Sequence, residues 1–265
     1  MDEVITCYNN NEDVINPILE DCREMGITVH IALTKCGIEG AKRRIENVGG
    51  YTVVTNYITS ASNRQIFLKR LMDICGGIVG CLITLILFLF VAPAIYIKSP
   101  GPIFFSQIRV GKNGKKFRIY KFRSMYMDAE ERKKELMKQN KVKDGMMFKM
   151  DHDPRIIKGV GNFIRKTSID EFPQFFNVLK GDMSLVGTRP PTVDEWEKYN
   201  KHHRRRMAIK PGLTGMWQIS GRSSITDFDE VVALDTKYIA EWNIGLDIKI
   251  LFKTVGVIFT GKGSQ

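Results

Sequence analysis

Several features that would identify a common class of protein are missing from this 265-residue chain. It has five cysteines, an odd number, and none forms a Cys-x-x-Cys pair, which argues against both a disulfide framework and a zinc site. The first 60 residues contain no glycine-rich phosphate turn, so no nucleotide site is assigned to them. No internal repeat is present, and 43% hydrophobic residues exclude a disordered chain. The mean hydropathy of −0.16 excludes a polytopic membrane protein.

Positive charge, in contrast, is in excess. The chain has 40 lysines and arginines against 29 aspartates and glutamates, which gives a net charge of +11. This excess predicts a partner of negative charge: nucleic acid, anionic lipid headgroups or a phosphorylated substrate. Because the sequence contains no nucleic-acid-binding motif and does contain an apolar segment, we interpret the charge as favouring membrane lipids and phosphorylated substrates over nucleic acid.

The apolar segment is residues 74–97, which carry no charge. As a helix it would be about 36 Å long, enough to cross the hydrocarbon layer. Basic residues flank it on both sides, and the positive-inside rule favours both flanks on the cytoplasmic face. A helix that enters, breaks and returns meets that condition, and Pro93 supplies the break because its ring clashes with the carbonyl of Leu89. A single span with a proline near its end is the alternative.

The pattern of elements divides the chain into three regions and predicts a mixed α/β (α+β) fold. Residues 1–60 form a small α/β segment, residues 61–98 form the membrane helix with its basic approach, and residues 99–265 form a helix-rich domain. The last helix suits either the membrane interface or the core. The predicted strands are 4–7, 27–33, 51–55 and two within 103–122, and the predicted helices are 12–25, 128–140, 168–180, 192–206, 227–242 and 246–260.

Asp170 and Glu171 are the candidate catalytic residues. They fall in the first turn of a predicted helix whose N-cap is Ser168, and Glu171 completes a capping box. Adjacent helix residues point about 100° apart, so the two carboxylates suit separate roles. One is suited to nucleophilic attack and the other to Mg²⁺, which is commonly held by one or two carboxylates plus substrate phosphates. Taken alone, the pair is explained as well or better by simple capping of a helix N-terminus.

A series of motifs in a fixed order changes that balance. In chain order they are Leu68–Asp73, Ser99–Phe105, Gln107–Gly111, Tyr120–Met125, Asp170–Gln174, Asn177–Ser184, Val186–Pro190, Lys210–Gly215 and Gly221–Arg222. One such block would be weak evidence for a protein family, whereas the whole set in this order is specific to one family. From residue 64 to about residue 260, the chain resembles the bacterial sugar transferases, which are monotopic polyprenyl-phosphate glycosyl-1-phosphate transferases.

The resemblance implies an enzyme activity and assigns roles in it. Members of this family transfer a sugar 1-phosphate, here implied to be that of a hexose, from a UDP-sugar to undecaprenyl phosphate and release UMP. By resemblance, Asp170 is the nucleophile that forms a covalent phosphosugar intermediate, and Glu171 helps to bind Mg²⁺. Arg189 and Pro190 are implied to contact phosphate and uridine. The reaction would take place at the cytoplasmic face of the bacterial cytoplasmic membrane.

The resemblance also bears on the membrane segment and on the start of the chain. It implies a re-entrant membrane helix that breaks at Pro93, although the family often has Ser-Pro where this chain has Ala92-Pro93. Residues 1–60 resemble the last part of a Rossmann-like domain that longer relatives carry. The expected protein is therefore monotopic, with a partial Rossmann-like segment before the membrane helix and the catalytic domain.

Phosphoryl transfer depends mostly on positioning and charge neutralisation, so several cations are expected around the substrate. We favour Arg165 and Arg189 for this role, and Lys121 is an even choice. Arg123 and Arg222 are interpreted as solvated or lipid-facing charges.

The basic run at residues 202–206 is likewise interpreted as lipid-facing. The expected partners are a UDP-sugar, undecaprenyl phosphate and anionic membrane lipids, with no nucleic acid. A membrane-tethered regulatory or scaffold protein is the non-enzymatic alternative, and it would not need Asp170. The sugar, the glycan pathway and the oligomeric state, a homo-oligomer included, do not follow from the sequence.

Overall fold

The computed structural model describes residues 3–7, 17, 28–32, 42–57, 62–136, 150, 153–221, 225 and 227–260. The chain forms two compact units, Met1–Asn56 and Tyr57–Gln265. The combination of helices and small sheets agrees with the mixed fold class predicted from the sequence.

The first unit contains the strands predicted there. β1 (Glu3–Cys7) pairs in parallel with β2 (Thr28–Ala32), with Glu3 opposite Thr28. β3 (Lys42–Val48) and β4 (Tyr51–Tyr57) form a second two-stranded sheet. Parallel pairing is what an α/β segment requires, and the Rossmann-like relationship stays a prediction. The helix predicted at 12–25 falls largely outside the described residues.

The second unit begins with one long helix and continues with short helices and strands. The helices are α1 (Asn63–Lys98), α2 (Ala129–Leu136), α3 (Val160–Lys166), α4 (Gln174–Lys180), α5 (Val193–Glu197), α6 (Lys201–Arg204), α7 (Met216–Ile219), α8 (Phe228–Glu241) and α9 (Ile244–Thr260). The strands are β5 (Phe104–Val110), β6 (Lys116–Phe122), β7 (Ser184–Val186) and β8 (Gly212–Thr214). Short 3-10 turns are Lys112–Gly114, Ile169–Glu171 and Arg205–Ala208. β5 and β6 pair antiparallel, and β7 and β8 pair in parallel.

Helix α1 packs on the rest of the second unit along one face. That face recurs every three or four residues, as one side of a helix does, and includes Asp73, Gly77, Gly80, Thr84, Phe88, Val91 and Ile95. Near its start, Gly77 lies against Leu179 of α4, 3.3 Å from where a Cβ would be. Near its end, Val91 and Ile95 are buried against Phe122 and Ile157. One face of the helix therefore contributes to the core of the unit.

The opposite face of α1 is apolar and exposed. Its exposed side chains include Ile78, Val79, Leu82, Ile83, Leu85, Ile86, Leu89 and Phe90. By length and composition α1 is a candidate membrane helix. Pro93 is exposed inside α1, and the helix continues beyond it to Lys98. The re-entrant path stays a prediction.

Arginine side chains tie both ends of α1 to the same unit. Arg70 donates from its two Nη atoms to the carbonyls of Val178 (3.0 Å) and Leu179 (2.9 Å), at the C-terminal end of α4. At the other end, Arg123 donates to the carbonyl of Ser99, the C-cap of α1. Since Arg123 is only 4% exposed, the interpretation of it as a solvated or lipid-facing charge is wrong. Arg222 lies outside the described residues.

Two other sequence predictions in this unit are corrected. The helix predicted at 192–206 is split into α5, α6 and a 3-10 turn, because Asn200 caps a new helix by accepting from the backbone N–H of His203 at 2.9 Å. The basic run at its end does not face lipid as a whole. His203 is buried with Nε2 3.0 Å from Asp229 Oδ1, and Arg206 is buried as well.

Candidate active site

The candidate carboxylates lie on a tight turn and not on the predicted helix. Ser168 adopts the left-handed conformation (φ 57°) and its side chain caps nothing, so the predicted capping box is wrong. The 3-10 turn Ile169–Glu171 follows, and α4 begins only at Gln174. The physical reason is Pro173, which lacks the backbone donor that a helix continuing from Ser168 would need at that position.

This turn gives the two carboxylates different surroundings, as the proposal of two roles requires. Asp170 is 7% exposed and therefore largely shielded from water. The side chain of Glu171 is 24% exposed, and its Oε1 accepts a hydrogen bond from Nζ of Lys121 at 2.7 Å. Lys121 lies on β6, so the β5–β6 hairpin supplies a cation to the turn Ile169–Glu171, which we name the catalytic turn because it carries the two candidate catalytic residues. The structure thus brings together three of the residues singled out from the sequence.

Arg189 and Pro190 lie on the segment that leaves β7. The segment is pinned by backbone hydrogen bonds, from Gly187 N to the carbonyl of Thr214 (2.8 Å) and from Gly212 N to the carbonyl of Thr188 (2.9 Å). Any side chain at Gly187 would overlap the backbone of β8 and of the residues before it, so glycine is required by close approach. The parallel pairing of β7 and β8 therefore fixes the backbone position from which the side chain of Arg189 extends.

Two other arginines hold the carbonyls of this segment. Nη2 of Arg206 donates to the carbonyl of Arg189 (3.4 Å), and Nη1 of Arg109 donates to the carbonyl of Pro190 (3.1 Å). Arg206 is itself fixed, because its Nη2 lies 2.6 Å from Oδ2 of Asp235. The guanidinium of Arg189 lies over the ring of Trp217, 5.9 Å from its centre. The backbone at Arg189 and Pro190 is therefore held by hydrogen bonds from two arginine side chains.

Arg109 connects this segment to the catalytic turn electrostatically. The pKa of Arg109 is lowered to about 10, mainly by burial and also by the charge of Arg189, although the carboxylates of Glu195, Glu171 and Glu130 act to raise it. Arg109 is therefore within electrostatic range of both Glu171 and Arg189. Sequence reasoning did not single it out, although it lies in the Gln107–Gly111 block that the family resemblance includes.

Arg165 is placed differently from the other candidates. It lies exposed in the last turn of α3, and its charge contributes to lowering the pKa of Asp153. Burial would raise that pKa, but hydrogen bonds from Arg155 outweigh it. Arg165 is thus within electrostatic range of Asp153.

The site has few side chains that could bind a metal ion, as far as the described residues show. Within the described ranges there is no group of three or more histidine, cysteine, aspartate or glutamate side chains that would enclose a metal. Glu171 offers carboxylate oxygens in a partly exposed position. This fits Mg²⁺, which is commonly held by one or two carboxylates together with substrate phosphates and not by a cage of protein ligands.

The turn with Asp170 and Glu171, the lysine beside it and the segment that carries Arg189 all lie within the part of the chain that contains the ordered motifs. The family described as bacterial sugar transferase matches residues 64–261, and the chain belongs to this family. The resemblance seen in the ordered motifs is thereby confirmed.

Named relatives show the same affiliation. The chain is 52% identical over 252 residues to "Galactosyl transferase CpsE" of Streptococcus agalactiae serotype III, covering 95% of this chain and 56% of the relative. It is 43% identical over 217 residues to "Undecaprenyl-phosphate galactose phosphotransferase" of Salmonella typhimurium, covering 80% of this chain and 44% of the relative. It is 40% identical over 234 residues to "UDP-glucose:undecaprenyl-phosphate glucose-1-phosphate transferase" of Escherichia coli, covering 83% and 46%. The chain thus spans about half the length of these relatives.

Proposed function

We propose that this protein transfers a hexose 1-phosphate from a UDP-hexose to undecaprenyl phosphate and releases UMP, as the first step in building a membrane-linked polysaccharide. The names of the Salmonella and Escherichia coli relatives, which specify galactose, UDP-glucose and undecaprenyl phosphate, support this. In the structure, the observation that carries the proposal is the catalytic turn, where buried Asp170 lies beside the Glu171–Lys121 pair.

The proposed reaction has two displacement steps at one phosphorus atom. A carboxylate oxygen of Asp170 attacks the β-phosphorus of the UDP-hexose, the bond from that phosphorus to the bridging oxygen breaks, and UMP leaves with the electron pair. A phosphate oxygen of undecaprenyl phosphate then attacks the same phosphorus. The bond to Asp170 breaks, the carboxylate is restored, and undecaprenyl diphosphate hexose is the product.

The neighbouring side chains have supporting roles in this proposal. Burial keeps water away from Asp170, which protects an aspartyl phosphate from hydrolysis. Lys121 and Arg189 neutralise the charge of the transferred phosphoryl group and the leaving phosphate, as phosphoryl transfer requires. Pro190 shapes the uridine site next to Arg189, and exposed Arg165 is assigned to a substrate phosphate.

Magnesium is proposed as the cofactor, with Glu171 as its protein ligand. Bound there, the ion would neutralise negative charge on the diphosphate. The protein's own contribution is to hold the Glu171 carboxylate on a rigid 3-10 turn, with Lys121 as a second positive charge beside it. The partial exposure of Glu171 leaves it accessible to a substrate that brings its own phosphate oxygens.

The proposed location is the cytoplasmic face of the bacterial cytoplasmic membrane, with monotopic attachment. Both ends of α1 contact the same unit, through Lys69 and Arg70 near its start and through Arg123 after its end. A straight span would require that unit to follow the helix into the bilayer. We therefore favour a path that returns both flanks to one face, with Pro93 at the break, and with anionic lipids contacting the basic flanks.

The test is transfer of radiolabelled hexose 1-phosphate by the full chain in membranes that contain undecaprenyl phosphate, with UDP-glucose and UDP-galactose as donors and UMP release as the second readout. Asp170→Asn is expected to abolish both transfer and the covalent adduct, while Glu171→Gln lowers activity and raises the Mg²⁺ requirement. Asp194→Asn, an exposed acidic residue on α5, is the matched control. Full activity of Asp170→Asn would rule out the mechanism. No transfer from any UDP-sugar would favour a regulatory or scaffold role.

A further inference from the structure

Arg109 and Arg206 both hold the segment that carries Arg189, but their charges are compensated very differently. Arg206 is 2% exposed, with Nε and Nη2 at 2.9 and 2.6 Å from Oδ2 of Asp235 and Nη1 at 2.9 Å from the hydroxyl of Tyr199. This guanidinium has a full carboxylate partner. Its role in the segment is explained without any ligand.

Arg109 lacks comparable compensation. Its side chain is only 14% exposed, and its Nη1 donates to the carbonyl of Pro190. Its ion-pair partner in the part of the chain that the structure describes, Glu195, is 4.0 Å away, and Oε2 of Glu195 already accepts from the backbone N–H of Thr192 at 2.9 Å. Nε of Arg109 is buried, and no described atom accepts a hydrogen bond from it.

A buried cation with so little compensation is costly unless an anion completes its surroundings. Burial disfavours the charge on Arg109, and so does the charge of Arg189, while Glu195, Glu171 and Glu130 act in the opposite direction. Nη1 of Arg109 reaches the carbonyl of Pro190, the residue that follows Arg189 in the chain. Arginines are suited to binding phosphate groups, because guanidinium donors match phosphate oxygens in geometry and charge.

We propose that Arg109 binds the diphosphate of the nucleotide donor together with Arg189, while its Nη1 holds Pro190 in place. This inference rests on the proposed function, since it takes a UDP-sugar as the donor. It adds a residue of β5 to the donor site. Positioning of Pro190 and binding of phosphate are two uses of one side chain.

The experiment separates phosphate binding from a purely structural role by comparing UDP with uridine. Binding of each is measured by ligand-observed NMR on the full chain in nanodiscs with Mg²⁺, for wild type, Arg109→Gln, Arg189→Gln and Arg118→Gln. Arg118 is the matched control, an exposed arginine on the paired strand β6. Arg109→Gln is expected to weaken UDP binding about tenfold or more, the usual effect of losing a charge-assisted hydrogen bond. Uridine binding is expected to weaken by a smaller factor, because it loses only the support that Nη1 of Arg109 gives to Pro190.

Each outcome bears on the inference. Equal losses of affinity for UDP and for uridine would show that Arg109 only supports the fold. If Arg109→Gln binds UDP as well as wild type does while Arg189→Gln binds it more weakly, the proposed role of Arg109 is overturned and the proposed function stays intact. Failure of the wild-type chain to bind UDP would overturn both. If Arg109→Gln does not fold, Arg109→Lys is measured instead, and a larger loss of binding for UDP than for uridine is again expected.

Discussion

Replacing Gly80 with alanine is expected to disturb the contact between membrane helix α1 and helix α4, which directly follows the catalytic turn. Gly80 is buried in α1, and an alanine Cβ at this position would overlap the ring of Phe175. Either the ring or the helix must therefore move. Because Phe175 is only four residues from Glu171, such a movement is transmitted directly to the active site.

Two opposing effects set the size of the change. Alanine is favoured over glycine inside a helix by about 1 kcal/mol. Overpacking of a well-packed contact costs about 1–3 kcal/mol. Gly256→Ala in α9 isolates the first effect, since no heavy atom lies within 4 Å of its Cβ position. The difference between the two variants should therefore equal the packing cost, about 2–12 °C in melting temperature for a unit of this size.

The assay is thermal unfolding in nanodiscs, followed by the fluorescence of the three tryptophans. Gly256→Ala is expected to raise the melting temperature slightly, and Gly80→Ala to lower it relative to Gly256→Ala and to reduce the transfer rate. If both variants raise the melting temperature equally, the ring of Phe175 does not occupy this position against α1. The close packing of the membrane helix on α4 would then be refuted.

Three further predictions concern how α1 is held. Asp247 is fully buried and accepts from Lys69 Nζ (2.6 Å), so Asp247→Asn should destabilise the protein by roughly 2–3 kcal/mol, and an unchanged urea midpoint would contradict this. Cysteines placed at positions 64 and 101 of a cysteine-free chain should be labelled from the same side of sealed vesicles; labelling from opposite sides would mean a true span. Pro93→Ala should keep membrane attachment but lose much of the activity, because a more stable straight helix, favoured by about 3 kcal/mol, shifts the depth of the catalytic unit. Full activity would show that other contacts hold the break.

Elements with strong local signals were predictable from the sequence. The helix predicted at 227–242 is α8, Phe228–Glu241, because Asp227 caps it by accepting from the backbone N–H of Asp229 and an apolar stripe follows. The strands predicted within 103–122 are the antiparallel hairpin β5–β6. In both cases the hydrophobic period and the turn or cap residues agree, so local and tertiary preferences point the same way.

The active-site geometry was less predictable, because it depends on contacts distant in sequence. Ser168 and Glu171 fit a capping box, yet the positive φ of Ser168 and the proline at position 173 favour a 3-10 turn. Arg123 and Arg206 read as surface cations, and each proved buried because a partner from another element, the carbonyl of Ser99 or the carboxylate of Asp235, accepts its hydrogen bonds. No spacing rule reveals such partners.

The packing of α1 has a consequence for the order in which the protein is made. α1 leaves the ribosome before the residues on which it packs, since Phe122, Ile157, Phe175 and Leu179 all follow it in the chain. The face of α1 that carries Gly77 and Gly80 is therefore not covered by α4 until α4 has been synthesised and packs against it. The core between α1 and the rest of its unit therefore forms only after α4 has been synthesised.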